Sequence, residues 1–180
     1  MGMRSKGFTL LEVILVLGIL VIILPLGFSI FLATSRAQLK VYVLHNVKRN
    51  GDTALSIMQN LIKTRALSLQ QSDGSAICSS APSSYSSGDV YFVDADDNRF
   101  RFYISDNKIA SESSSIGVSF LTNEQVSVPS GGFSLTCNRA TPFSPPLVAL
   151  SFSISQAAST SRAEEQAALN YQTKIRLRAY

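Results

Sequence analysis

Few residues in this 180-residue chain could support nucleophilic catalysis. Ser105 and Lys108 have the S-x-x-K spacing of hydrolases in which a desolvated lysine activates a serine. An Asp-Asn pair separates them between two β-rich segments, where we expect a solvated hairpin turn. His45 is the only histidine. Because it lies in the helical N-terminal part, the β-rich part has no base for a Ser-His-Asp triad. We therefore expect that the protein is not an enzyme.

A second group of polar residues has the spacing of a calcium-binding loop. Asp94, Asp96 and Asn98 place side-chain oxygens at alternate positions, as the start of such a loop requires. Arg99 then replaces the glycine, and Ser105 stands where the bidentate glutamate belongs. Since Asp and Asn are also preferred turn residues, we interpret the segment as a hairpin turn, with weak calcium binding as the alternative. No metal or other cofactor is expected.

The charge of the chain is divided unevenly. Residues 1–70 hold eight Lys or Arg against two acidic residues, whereas residues 71–180 hold eight against ten. The net charge of +4 is thus a property of the N-terminal part. It does not indicate a basic nucleic-acid-binding face on the β-rich part, so no nucleic-acid partner is expected.

A long apolar segment follows a short basic leader. Residues 13–35 carry no charge, and about 20 apolar residues in a helix cross a hydrocarbon core of about 30 Å. Glu12 lies at the start of this segment. Deep in lipid a carboxylate costs about 2.5–3.5 kcal/mol, so an ionisable residue there suggests a function.

Beyond the apolar segment, hydrophobic residues recur at helical spacing. They are Leu39, Val43, Val47, Ala54, Met58, Leu61 and Ile62. We expect an amphipathic helix that continues the apolar one. Pro25 should kink it, because proline removes a backbone donor. Asn50-Gly51-Asp52 should weaken it, and Asp52 could cap a new helical segment there.

The rest of the chain favours strands. Residues 71–88 contain eight serines and predict a polar loop. Runs rich in β-branched and aromatic residues follow at 90–94, 99–104, 118–121, 125–128, 133–137, 147–155 and 171–177. The predicted fold class is α+β. A long N-terminal helix, transmembrane in its first half and amphipathic in its second, should pack on a mostly antiparallel β-sheet head.

The segment Lys6-Gly-Phe-Thr-Leu-Leu-Glu-Val13 resembles the processing site of type IV prepilins and type II secretion pseudopilins. In that family a prepilin peptidase cuts after the glycine and the new N-terminal residue is N-methylated. The resemblance implies cleavage between Gly7 and Phe8 and methylation of Phe8. It also implies that Glu12 pairs with the N-terminal amine of a neighbouring subunit during assembly. A buried carboxylate is tolerable when such a cation meets it.

The resemblance also implies an organisation for the chain. Residues 1–7 form the leader, 8–35 the transmembrane and assembly helix, 36–70 the amphipathic stalk helix, 71–88 the serine-rich loop and 89–180 the β-rich head. Pattern and length suggest a minor, J-type-like subunit.

The implied partners are the prepilin peptidase, other pilins or pseudopilins, the inner-membrane assembly platform and membrane lipid, with no small-molecule substrate. The implied location is a single-pass inner-membrane position with the N-terminus cytoplasmic and the head extracytoplasmic, followed by the pilus or pseudopilus. Basic residues on both sides of the span leave its orientation undecided by charge, so the orientation rests on the resemblance.

Cys78 and Cys137 are the only cysteines. An exported head would place both in a compartment that permits disulfides. We therefore favour a disulfide between them, which could contribute about 4 kcal/mol by closing a loop of about 60 residues. Two free thiols are the alternative.

Three other interpretations compete with a filament subunit. An ordinary secretory signal has an apolar core of about 7–15 residues with its cleavage site after the core, unlike this segment. A membrane-anchored extracytoplasmic binding module is the main alternative, although a plain anchor was expected to have no use for Glu12. A secreted hydrolase that uses Ser105 is the third. A twitching pilus, a secretion pseudopilus and a DNA-uptake pilus share the same signal, so all three stay open.

Overall fold

The α-helical part of the chain is one element, α1 (Leu10–Arg65), within the residues that the computed structural model describes. Those residues are 9–80, 83–86, 90–141, 143–157, 162 and 165–177. The strands are β1 (Ser68–Gln70), β2 (Ala76–Ile77), β3 (Ser83–Ser86), β4 (Tyr91–Val93), β5 (Arg99–Ser105), β6 (Lys108–Ser113), β7 (Gly117–Phe120), β8 (Val126–Ser127), β9 (Phe133–Arg139), β10 (Leu147–Gln156) and β11 (Ala168–Arg176). All strand pairs are antiparallel, so the predicted α+β class is confirmed.

The chain divides into two compact units, and the boundary falls after Leu39. The first unit contains the apolar part of α1. The second contains the rest of α1 and every described strand.

In the second unit, one face of α1 is buried. Its buried residues follow at three- or four-residue steps, as the side chains of one helix face must. They are Val43, Val47, Gly51, Ala54, Met58 and Ile62. Five of these six belong to the predicted apolar series, which is thereby largely confirmed. Leu39, predicted on the same face, is 45% exposed.

The expected break at Asn50-Gly51-Asp52 was wrong, because α1 continues through it. The Asn50 amide donates to the Asn46 carbonyl at 2.9 Å, and its oxygen accepts from the backbone N–H of Asn123 at 3.2 Å. Gly51 is buried, and a Cβ placed there would lie only 2.6 Å from the hydroxyl oxygen of Tyr171. The glycine therefore permits a close approach between α1 and β11.

Two sheets complete the second unit. Sheet A has the order β2-β1-β4-β5-β6-β7, and sheet B has the order β11-β10-β9-β3, with β8 also pairing with β10. Phe92, Phe100 and Phe102 form an aromatic cluster on one face of sheet A, with ring centroids 5.2–5.9 Å apart. In sheet B, Phe152 stacks on Tyr171 with centroids 5.0 Å apart. Gln59 of α1 donates to the Thr173 hydroxyl on β11 at 2.6 Å.

The stalk helix ends five residues before its predicted limit of residue 70. The N–H of Leu67 donates to the Val93 carbonyl at 2.8 Å, and Leu69 is buried as part of β1. Pairing with sheet A thus replaces the helical conformation that the apolar spacing suggested. The predicted serine-rich loop likewise contains β2 and β3.

The structure joins Cys78 and Cys137 in a disulfide, as predicted, with Cα atoms 6.4 Å apart. Both residues are buried. Cys137 lies on β9 directly opposite Tyr85 of β3. The bond therefore fixes the segment that carries β2 and β3 to the middle of sheet B.

Candidate functional site: the N-terminal helix

The first turn of α1 is capped by Thr9. The N–H of Glu12 donates to the Thr9 hydroxyl at 3.3 Å and to the Thr9 carbonyl at 3.1 Å. Thr9 is thus the N-cap and Glu12 the third helical residue, which is the spacing of a capping box. An acidic residue in the first turn also interacts favourably with the helix dipole.

This geometry corrects one step of the sequence argument. From the sequence alone, a plain membrane anchor is expected to have no use for Glu12. A carboxylate three residues after a Thr N-cap stabilises the start of any helix, anchored or assembled. The presence of Glu12 therefore does not by itself exclude a plain anchor, and its charge must be tested separately from its capping role.

The surface of α1 that follows Glu12 is apolar on every side. Its most apolar 18 residues have a mean hydropathy of 3.0, and none of them is buried by the protein. Exposure of the large side chains between Val13 and Leu32 ranges from 40% at Leu32 to 71% at Val21. A helix that is hydrophobic all round needs an apolar environment, and this one is long and apolar enough to cross a membrane.

Two polar side chains within the apolar helix bond to its own backbone. The Ser29 hydroxyl donates to the Leu26 carbonyl at 2.8 Å, and the Thr34 hydroxyl donates to the Ile30 carbonyl at 2.9 Å. Pro25 lies inside α1, which continues past it. These hydroxyls require no water, so they fit a hydrocarbon environment.

The predicted processing residues Gly7 and Phe8 lie outside the described residues. Cleavage between them, and methylation of Phe8, stay predictions.

Ser105 and Lys108 flank a two-residue hairpin turn, as expected. They are paired residues at the ends of β5 and β6, and both turn residues between them have positive φ angles. The Lys108 ammonium lies 3.4 Å from a Glu124 carboxylate oxygen and above the Phe120 ring. It is therefore placed to pair with a carboxylate in the segment between β7 and β8.

The segment from Asp94 to Asn98 is also the predicted hairpin turn. One Asp94 oxygen accepts from the backbone N–H groups of Asp96 and Asn98, each at 2.9 Å. Partial burial raises the pKa of Asp94, but the hydrogen bonds from Asn98 and Asp96 outweigh it, so the pKa lies below its ordinary value. Within the described part of the chain, no group of three acidic, His or Cys side chains could hold a metal ion.

Tyr171 is the most strongly perturbed titratable group described in the head. Its hydroxyl donates to the Lys48 carbonyl at 3.1 Å. Burial, together with the nearby Asp52 carboxylate, raises the pKa of Tyr171 from 10.0 to about 12. This tyrosine joins sheet B to the helix.

Two features escaped the sequence argument. The capping role of Thr9 could have been found from the T-x-x-E spacing. Phe143, which is 98% exposed, has a sequence signal only in the prolines around it, and these predict a turn rather than an exposed ring.

Comparisons with protein-family models, with curated proteins and with solved structures each found no match.

Proposed function

We propose that this chain is a subunit of a type IV pilus or a type II secretion pseudopilus, assembled through its N-terminal helix. One observation carries the proposal: α1 presents an apolar surface that the protein itself leaves uncovered, beginning directly after Glu12. Lipid would cover this surface before assembly. The same helices of neighbouring subunits would cover it afterwards.

Processing would prepare the helix for that change of environment. Cleavage between Gly7 and Phe8 creates an ammonium group four residues before Glu12. In a packed bundle of helices, the Glu12 carboxylate of one subunit would meet the ammonium of another. The pair would offset the cost of burying either charge alone.

The expected partners are the prepilin peptidase, other pilins or pseudopilins, an inner-membrane assembly platform and lipid. The leader would lie in the cytoplasm and the head outside the inner membrane. The β-rich head fits a minor, J-type-like subunit that would act by assembly.

A second candidate function is favoured by the capping geometry. If Glu12 only caps α1, the helix could serve as an anchor for a head that binds its target alone. Thr9 and Glu12 would then contribute similarly to the stability of the helix, since each contributes to the same cap.

Three variants separate these functions. Glu12→Gln removes the charge and keeps a capping-box side chain, Glu12→Ala removes both, and Thr9→Ala removes only the N-cap hydroxyl. Assembly through charge pairing predicts that both Glu12 variants lose incorporation into filaments about tenfold or more, while Thr9→Ala stays near wild type. If the helix only anchors the head, no incorporation into filaments is expected even for the wild type. Membrane retention should then be near normal for Glu12→Gln and similarly reduced in the two alanine variants.

The N-terminus gives an independent test. Intact mass and N-terminal sequence would be measured on protein from membranes with and without a prepilin peptidase. A chain that begins at methylated Phe8 only when the peptidase is present supports the proposal. A chain that keeps residues 1–7, or is cut after the apolar segment, contradicts it.

A further inference from the structure

Phe143 is the most exposed large hydrophobic residue described in the second unit, at 98%. It lies in the turn between β9 and β10. The N–H and the hydroxyl of Ser144 both donate to the Thr141 carbonyl, at 3.1 and 2.9 Å, and the Ser144 hydroxyl also accepts from the Thr141 N–H at 3.0 Å. The Arg139 guanidinium donates to the Ser144 carbonyl at 3.0 Å. The phenyl ring therefore projects from a well-braced turn.

The hydrogen-bonded turn lowers the conformational entropy that Phe143 would lose on binding a partner. Isolated exposed hydrophobic residues are common and need no explanation. Phe143 differs because Pro145 and Pro146 restrict the chain after it and the hydrogen bonds hold the turn. Little conformational entropy would be lost on binding, and buried aromatic rings commonly carry the energy of an interface.

The same unit contains an apolar groove that no described residue of the chain occupies. The groove lies between the C-terminal part of α1 and the face of sheet A formed by β5, β6 and β7, and it has a volume of about 330 Å³. We call it the serine groove. Its lining includes Ile57, Leu61, Phe100, Ser111, Ser119 and Leu121.

Small residues in the sheet create the serine groove. Ser111 and Ser119 are paired across β6 and β7 and face the helix, where larger side chains would fill the space. Phe100 forms an apolar floor, and Ile57 of α1 stays 37% exposed beside it. An apolar cavity of about 150 Å³ accommodates benzene, so the serine groove has ample room for one phenyl ring.

We propose that the serine groove of one copy binds Phe143 of a second copy. The chain supplies both halves of the contact, an exposed aromatic ring and an apolar groove wide enough for it. Because Phe143 is 98% exposed, it does not occupy the groove of its own chain. The ring and the groove are different surfaces, so each copy can bind one neighbour through Phe143 and another through its groove.

This contact goes beyond the proposed function and does not depend on it. Both surfaces belong to the second unit, and neither includes Phe8 or Glu12. It predicts association between heads of identical chains whether or not the N-terminus is processed.

Photo-crosslinking of the full chain in lipid nanodiscs that hold several copies tests the contact. Benzoylphenylalanine replaces Phe143, and ¹⁴N and ¹⁵N protein are mixed so that mass spectrometry distinguishes crosslinks between copies from those within one copy. The expected crosslinks join residue 143 to residues 57–65 or 111–121 of a different copy. Crosslinks only to lipid, only within one copy, or only to another surface would overturn the proposal.

Variants measure the strength of the contact in detergent micelles by sedimentation. Phe143→Ala should weaken self-association about ten- to one-hundred-fold, because the variant loses the free energy gained by burying one phenyl ring. Ser119→Phe, which fills the groove, should have a similar effect. Phe120→Ala is the matched control, because Phe120 is 48% exposed on the opposite face of β7.

Sedimentation also separates this inference from the proposed function. Self-association that is lost with Glu12→Gln but unchanged in Phe143→Ala would leave the filament proposal standing and overturn the head contact. Self-association that survives Glu12→Gln and is lost in Phe143→Ala supports the head contact by itself.

Discussion

Replacing Gly51 by alanine sets helix propensity against tertiary packing. In an exposed helix the change stabilises by about 1 kcal/mol. Here the new Cβ would overlap the Tyr171 ring and lie 2.6 Å from its hydroxyl oxygen. Tyr171 would have to move, and it would lose its stacking on Phe152 and its hydrogen bond to the Lys48 carbonyl.

The expected magnitude follows from those two contacts. An aromatic pair contributes about 0.5–1.5 kcal/mol beyond area burial, and a hydrogen bond about 0.5–1.5 kcal/mol. Losing part of the burial of the ring adds about another 1 kcal/mol. After subtracting the gain in propensity, Gly51→Ala should destabilise the protein by about 1–3 kcal/mol. That loss corresponds to about 2–12 °C in unfolding temperature for a chain of this size.

A double-mutant cycle with Tyr171→Leu makes the test decisive. Leucine lacks the ring atoms that meet the new Cβ, so in this background Gly51→Ala should become stabilising by up to about 1 kcal/mol. Unfolding of the full chain in detergent would be followed by near-ultraviolet circular dichroism. If Gly51→Ala raises stability in the wild-type background, or has the same sign in both backgrounds, the packing argument is wrong.

Three further predictions concern the head. Replacing Cys137 by serine should lower the free energy of unfolding by about 2–4 kcal/mol, because the disulfide no longer closes the loop between two residues 59 positions apart. Urea unfolding with and without reductant measures this loss. Only the stability of the wild type should respond to reductant. The raised pKa of Tyr171 means that the folded state holds this proton more tightly than the unfolded state does. The contribution of Tyr171 to stability should therefore be constant below about pH 10 and fall by about 1 kcal/mol, after solvent screening, as the pH rises to about 12. Tyr171→Phe should remove that fall, and a pH dependence that persists in this variant would assign it to another group. Asn107 has a positive φ of 56° in its hairpin. Asn107→Val should therefore lower the free energy of unfolding by about 1–2 kcal/mol, whereas Asn107→Gly should be neutral or stabilising. Thermal unfolding should show a lower unfolding temperature for the valine variant and an equal or higher one for the glycine variant.

The elements with a strong local signal could be predicted from the sequence. The uncharged segment at 13–35, the helical spacing from Val43 to Ile62 and the alternation around Phe100 each depend on near neighbours in the chain. Turn residues at Asp94 and Asn107 likewise carry their own conformational preference. The predicted positions of these elements agree with the structure to within a few residues.

Elements that depend on distant partners escaped prediction. β1 continues the apolar spacing of the helix, and only its pairing with β2 and β4 makes it a strand. β3 lies in a serine-rich segment and is a strand because it pairs with β9. The serine groove could not be predicted either, because Ser111 and Ile57 become neighbours only through the packing of helix and sheet.

The order of the strands of the two sheets along the sequence has a consequence for the folding of the chain during its synthesis. All strands of sheet A have been synthesised once the chain reaches the end of β7. β3 comes before most of these strands in the sequence, but it belongs to sheet B and can pair only after β9 has been made. Until β9 has been synthesised, Cys78 has no partner thiol. A chain truncated after β7 would expose a free cysteine beside an unpaired strand, and an unpaired strand edge favours aggregation. Closure of the Cys78–Cys137 bond therefore reports that β9 has reached its place beside β3, and this covalent signal distinguishes a chain whose second sheet has begun to form from one that ends before it.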